Sequence, residues 1–189
     1  MKKTLTLVII LILIHGGIMA KEETKQEVKK MLQDPENIQT IHQFFSAGCF
    51  NKTWEYLDKK ELSQEDIENM IVCSNTSLYH WKKRNDCTAD NLSIAYWQLA
   101  RVYTVADKLE MAKDYAEKCL NISLDNELEP FYIGYGYEAI SRTMLKMEKL
   151  KKCRQYLNKG YEELEKVNDK DSKKYLSSDL DDIKKKLNN

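Results

Sequence analysis

Ala95 to Lys118 reads AYWQLARVYTVADKLEMAKDYAEK, and Gly136 to Lys159 reads GYEAISRTMLKMEKLKKCRQYLNK. The two stretches align without a gap, Arg101 falling on Arg142 at an offset of 41 residues. Self-similarity at a period of roughly 20 to 50 residues marks stacked helix pairs, because one pair cannot bury its apolar face alone. Within the first unit Tyr96, Leu99, Ala100, Tyr103, Ala112, Ala116 and Cys119 are answered by Tyr137, Ile140, Ser141, Met144, Cys153, Leu157 and Gly160. Small residues at 100 and 112, and again at 141 and 153, let two helices approach closely while the larger ones fill the space around them. The expectation is an all-α chain of antiparallel helical hairpins.

Working outward, the spacing predicts four helices for the repeats, near 91–105, 108–123, 130–146 and 149–167. Upstream, residues 36–57 carry apolar residues at Ile38, Ile41, Phe45, Cys49, Phe50, Trp54 and Leu57, a 3-and-4 spacing that predicts a buried helical stripe. Ser63-Gln64-Glu65-Asp66 is a capping box that opens the next helix, with Ile67, Met70, Ile71, Ser74, Ser77, Leu78 and Trp81 on its inner face. These two helices make a third, divergent hairpin. A polar stretch, Lys82 to Asp90, separates it from the repeats. Asp171 to Leu187, with Lys173, Lys174, Lys184 and Lys185 outward, reads as the polar capping helix that an open helical stack requires.

The chain has 189 residues, enough for one domain with a sizeable core. Two prolines and six glycines against 32% charged residues suit long helices and argue against an all-β fold. Lys2 and Lys3 followed by the uncharged run Thr4 to Ile14 predict a signal peptide of residues 1–20, cut after Ala20. The expected localisation is therefore exported, periplasmic or secreted, with no stable membrane insertion once the signal is cut; the alternative is an N-terminal anchor. Lys21 to Pro35 would be a charged arm and residues 36–189 the helical domain. Removing Lys2 and Lys3 leaves 28 basic against 30 acidic residues, too little positive charge for a nucleic-acid stripe.

The repeat resembles the tetratricopeptide motif, with Tyr96 where Trp is usual and no closing Pro. The resemblance implies a short solenoid whose first helices line a groove for a protein or peptide ligand. It puts Ile94, Trp97, Arg101 and Val105 in that groove from the first repeat, and Tyr135, Glu138 and Arg142 from the second. Two arginines on one register suit a carboxylate, which an Arg fork binds in bidentate fashion. The alternative is structural: the arginines pair with Glu138 or Asp107 and hold neighbouring helices. The chaperone-binding carboxylate clamp of tetratricopeptide domains needs Lys and Asn where this chain has Trp97 and Arg101. Three blocks, Cys49 to Asp58, Ser77 to Trp81 and Trp97 to Tyr103, are also similar to an uncharacterised group of bacterial tetratricopeptide-like proteins over Phe44 to Asp182. Members of that group usually lack a signal peptide.

A second candidate pocket gathers Asn51, Thr53, Trp54, Tyr79, His80 and Trp81, which would suit a small-molecule sensor or an enzyme accessory subunit. No nucleophile and base are paired in the sequence, so no catalytic residue, cofactor or enzymatic activity is expected. Cys73, His80 and Cys87 lack the short spacing of zinc ligands, and His42 stands alone, so no metal is expected. Of five cysteines, Cys49, Cys73, Cys119 and Cys153 fall at packing positions, leaving Cys87 as the one most available for a disulfide, with Cys73 as its candidate partner. Asn51, Asn75, Asn91 and Asn121 match the glycosylation pattern. The first two lie inside predicted helices and read as chance matches.

Overall fold

The computed structural model describes residues 24–30 and 33–188, so the predicted signal peptide lies outside the described residues, as does part of the arm. Seven helices follow in order: α1 Pro35–Leu57, α2 Gln64–Trp81, α3 Ala89–Val105, α4 Leu109–Asp125, α5 Pro130–Lys146, α6 Leu150–Lys166 and α7 Lys170–Leu187. Residues 24–30 are helical as well, and no strand occurs among the described residues. Contacts divide the chain within α1, one unit ending at Ile41 and a larger one running from His42. Among the described residues no helix is long and apolar enough to cross a membrane.

The protein is all-α, and within the larger unit neighbouring helices pair as antiparallel hairpins. Ser93 on α3 meets Ser123 on α4 at 2.7 Å while Tyr103 stacks on Tyr115, and Ser141 on α5 meets Cys153 on α6. The repeat persists in the turns. Asp107 and Glu148, 41 positions apart, take left-handed φ values of 57° and 58°, and each is followed by a lysine whose N–H reaches back five residues, Lys108 to Tyr103 O and Lys149 to Met144 O, both at 2.9 Å. That is a Schellman ending made without glycine. The starts of α2 and α7 are capped from side chains, Ser63 and Asp66 forming the expected box on α2 and Asp169 accepting from Ser172 N at 2.8 Å on α7, while α5 opens on Pro130 without a side-chain cap. Each such cap is worth about 1 kcal/mol.

The main core runs from α3 to α7, with Ala100, Ala116, Cys119, Ile140, Met144, Cys153 and Leu157 inside it. Leu176, Leu180 and Ile183 of α7 are wholly buried there. At about 1.5–3 kcal/mol for each large apolar side chain fully buried, these three tie α7 firmly to the repeats. A smaller cluster of Leu78, Ala95, Leu99, Tyr103 and Ala112 joins α2 to the first repeat.

One expectation is corrected. The apolar stripe foreseen on α1 is half-buried: Ile38, Ile41, Cys49, Phe50, Trp54 and Leu57 are partly covered, Phe45 is 42% exposed, and the residues α1 buries fully are Ser46 and Thr53. Their hydroxyls donate to the carbonyls of Gln43 and Cys49, at 3.0 and 2.9 Å, so both act as small packing residues with no polar debt. Ser77 of α2 then comes close enough to donate to Ser46 O at 2.7 Å.

Candidate functional site

Two cavities open on the face built by the first helix of each hairpin. The smaller, about 280 Å³, is lined by Trp54 from α1, Ser93, Ile94 and Trp97 from α3, Phe131, Tyr132 and Tyr135 from α5, and Tyr175 and Asp179 from α7. The larger, about 630 Å³, is lined by Leu57, then Arg101, Thr104 and Val105, then Arg142, Leu145, Lys146 and Glu148, then Asp182, Ile183 and Lys186. Neither takes a residue from α2, α4 or α6. Six of the seven groove residues expected from the repeat line one cavity or the other; the seventh, Glu138, is fully buried beneath them.

A charged network lies between the cavities. Arg142 donates from Nε to Glu138 Oε1 at 2.5 Å, from one terminal nitrogen to Asp182 Oδ2 at 3.0 Å, and from the other to Asp179 Oδ1 at 3.2 Å. Arg101 donates to the same Asp179 oxygen at 3.0 Å, and Tyr135 OH to Asp179 Oδ2 at 3.2 Å. Trp97 Nε1 donates to the second oxygen of Glu138 at 2.8 Å. The two arginines do share a carboxylate, but it is supplied by α7 of the same chain. Arg142 also pairs with Glu138 as the structural alternative had it, whereas Asp107 pairs with Lys146 at 3.6 Å.

Within the network Arg142 and Asp182 are held charged and Tyr135 neutral. Burial works against the Arg142 cation, but the Glu138 and Asp179 charges outweigh it and raise its pKa. Burial first, and then Asp179 and Glu138, push Tyr135 far above the ordinary phenol value, so its hydroxyl stays a donor. Burial would raise Asp182, yet hydrogen bonds from Lys186 and Arg142 hold its carboxyl below the usual range. Such a set is poorly suited to exchanging protons near neutral pH.

Asp179, Asp182, Phe131, Tyr132 and Tyr175 were not foreseen. A signal for Asp179 was present: the step of 41 that carries Trp97 to Glu138 carries Glu138 to Asp179. Thus α7 occupies the register of a further first helix, and reading it only as a polar cap hid its acidic inner side.

The second candidate pocket is not assembled. The α1–α2 hairpin pairs Ser46 with Ser77 and His42 with His80, so Tyr79 to Trp81 lie beside the start of the packed part of α1 while Asn51 and Trp54 lie toward its end. The nine residues from His42 to Asn51 span about 14 Å of helix. Trp54 faces Trp97 instead, with ring centroids 5.7 Å apart, Thr53 is buried, and Trp81 carries the Arg84 guanidinium 3.9 Å above its ring. His42 does not stand alone: its Nδ1 lies 2.8 Å from that of His80.

All five cysteines are free thiols, so the Cys73–Cys87 pairing is absent. Burial pushes the Cys119 thiol up to about 12. Among the described residues, no group of three or more His, Cys, Asp or Glu side chains converges as a metal site. The Asn75 amide is spent inside the fold, donating to Ile71 O at 2.8 Å and Tyr103 OH at 3.0 Å.

No protein-family model, curated protein or solved structure matches the chain.

Proposed function

We infer that the protein is a non-catalytic interaction module, tetratricopeptide-like in kind, that binds a protein or peptide through the face formed by α1, α3, α5 and α7, and that it works in the cell envelope or the secreted space. The observation that carries this reading is the exclusive origin of both cavities: each draws on all four first helices and on no second helix. An extended ligand lying across that face would touch every hairpin at once, which is how a repeat array gains affinity from small contributions. Support also comes from the charged network, in which Arg142 stays a cation and Tyr135 a neutral donor. The exported location rests on the N-terminal pattern Lys2-Lys3 and Thr4 to Ile14.

Arg142 is too deeply built into the fold to serve as a probe of binding. Val105, 44% exposed in the larger cavity, and Tyr175, 64% exposed in the smaller, are better placed. Affinity capture from the native envelope should compare wild type with a Val105→Glu/Tyr175→Glu variant that retains its helical circular dichroism, and with Asp114→Arg on α4 as a control. A partner kept by wild type and the control but lost by the double variant supports the reading. Equal recovery from all three removes the interface from this face.

A further inference from the structure

The smaller cavity is walled by rings from all four first helices. Trp54 and Trp97 lie with centroids 5.7 Å apart; Trp97 meets Tyr135 edge-on at 4.9 Å, and Tyr135 meets Phe131 edge-on at 4.9 Å. Three polar side chains of its wall are already engaged. Trp97 Nε1 is bound to Glu138, Tyr135 OH to Asp179, and Ser93 Oγ shares a hydrogen bond of 2.7 Å with Ser123 Oγ. A ligand that drew on one of these three would have to break its bond and leave a buried group unpaired, at about 1–3 kcal/mol, which leaves polar contact to the exposed edge at Tyr175.

Charge narrows the choice further. Asp179 is the one carboxylate on the wall, and it is neutralised by Arg101 and Arg142. The Arg101 guanidinium sits 5.6 Å from the centroids of both Trp54 and Trp97, so an entering cation would meet like charge where it would seek the ring faces. An anion could draw on the Arg101 cation only by displacing Asp179 from it, and would meet the negative ring faces. An uncharged ring meets neither objection and can extend the edge-to-face series, each such contact being worth about 0.5–1.5 kcal/mol beyond its buried area. The volume of about 280 Å³ falls below the roughly 300–1,000 Å³ of small-molecule pockets and suits a single side chain.

We propose that this cavity is a subsite for one uncharged aromatic side chain of a bound peptide, which rests on the groove reading above and specifies its ligand. The full chain carrying Trp81→Phe leaves Trp54 and Trp97 as the indole reporters. It should be titrated with N-acetyl-phenylalaninamide and with the corresponding lysine and glutamate amides while emission is followed. The phenylalanine probe is expected to give a saturable shift, with a Kd at least about tenfold below those of the charged probes. Ile94→Glu, folded by circular dichroism, should abolish the shift. Tyr175→Ala, which removes an exposed wall, should weaken it several-fold and serves if Ile94→Glu does not fold.

Binding of the lysine probe as tight as that of phenylalanine, or a phenylalanine shift that neither variant alters, overturns the subsite. A random-peptide library panned on the same protein separates the two levels of failure. Retained peptides that lack an aromatic residue and survive Ile94→Glu overturn the subsite and leave the groove standing if Val105→Glu releases them. Absence of both probe binding and retained peptides overturns both.

Discussion

Trp97 Nε1 donates a hydrogen bond of 2.8 Å to Glu138 Oε2 across 41 residues, the same interval that separates the two repeats. Equivalent positions of consecutive units are therefore in direct contact, and the next equivalent position, Asp179, completes the row through Arg142. Glu138 is fully buried, so its charge is tolerated only because the Arg142 guanidinium and the indole N–H satisfy it. Glu138→Leu should destabilise the fold by roughly 3 kcal/mol, since it leaves the largely buried Arg142 Nε–H and the Trp97 indole N–H without acceptors, although Asp179 and Asp182 still hold the other guanidinium nitrogens. Glu138→Gln, which keeps an acceptor for Trp97, should cost visibly less. Urea unfolding of the two variants checks this; equal losses would mean that shape rather than charge and hydrogen bonding matters there.

Asp179 serves three donors, Arg101, Arg142 and Tyr135, whereas among the described residues Arg101 has this one salt-bridge partner. The two sides of the same ion pair should thus be unequal under mutation. Asp179→Ala should cost about 2–3 kcal/mol, because hydrogen bonds to charged groups are lost at a partly buried site. Arg101→Ala should cost about 1 kcal/mol or less, the usual range for a partly exposed pair. The measurement is the urea midpoint of each single variant and of the double. Matching single costs would show that Tyr135 and Arg142 gain nothing from Asp179.

Most of the fold was legible because the 41-residue repeat carries its own boundaries. Four repeat helices foreseen at 91–105, 108–123, 130–146 and 149–167 are observed at Ala89–Val105, Leu109–Asp125, Pro130–Lys146 and Leu150–Lys166. What was hidden had a physical reason in each case. The end of α4, foreseen at 123, is observed at Asp125 and closed by Glu127 in the left-handed region, where no glycine marks the stop. The buried face of α1 runs through Ser46 and Thr53, whose polarity conceals that their hydroxyls bond to their own helix. The groove arginines were visible, but the carboxylate that joins them lies on α7, 78 residues from Arg101, where no local pattern links the two.

Two glycines should respond to alanine with opposite signs. A Cβ added at Gly48, inside α1, meets no atom within 4 Å, so Gly48→Ala should stabilise by about 0.5–1 kcal/mol through helix propensity and reduced backbone entropy. At Gly136 the added Cβ would lie 2.7 Å from Leu120 Cα, where α5 presses on the backbone of α4. Backbone cannot swing aside as a side-chain tip can, and Gly136→Ala should cost about 1–3 kcal/mol. Chemical denaturation of both variants beside wild type gives the signs directly. A neutral Gly136→Ala would mean that the α4–α5 contact is looser than the packing indicates.

The His42–His80 contact should make the α1–α2 hairpin sensitive to acid. With their Nδ1 atoms 2.8 Å apart, the rings hydrogen-bond only while one of those nitrogens lacks a proton, and the Phe45 and Tyr79 rings flank His80 at 5.1 and 5.2 Å. Burial first, and the neighbouring His42 second, pull His80 below its ordinary value of 6.5. A base whose folded pKa is depressed contributes stability that is complete above the unfolded value and is lost as pH falls through the folded one. The loss should therefore begin near pH 6.5 and deepen below it. Comparing the pH dependence of the urea midpoint in wild type and in His42→Gln isolates this pair from the carboxylates that titrate at lower pH. Wild type should fall more steeply than the variant between about pH 6.5 and pH 5, and parallel curves would sever the hairpin's acid response from these two rings.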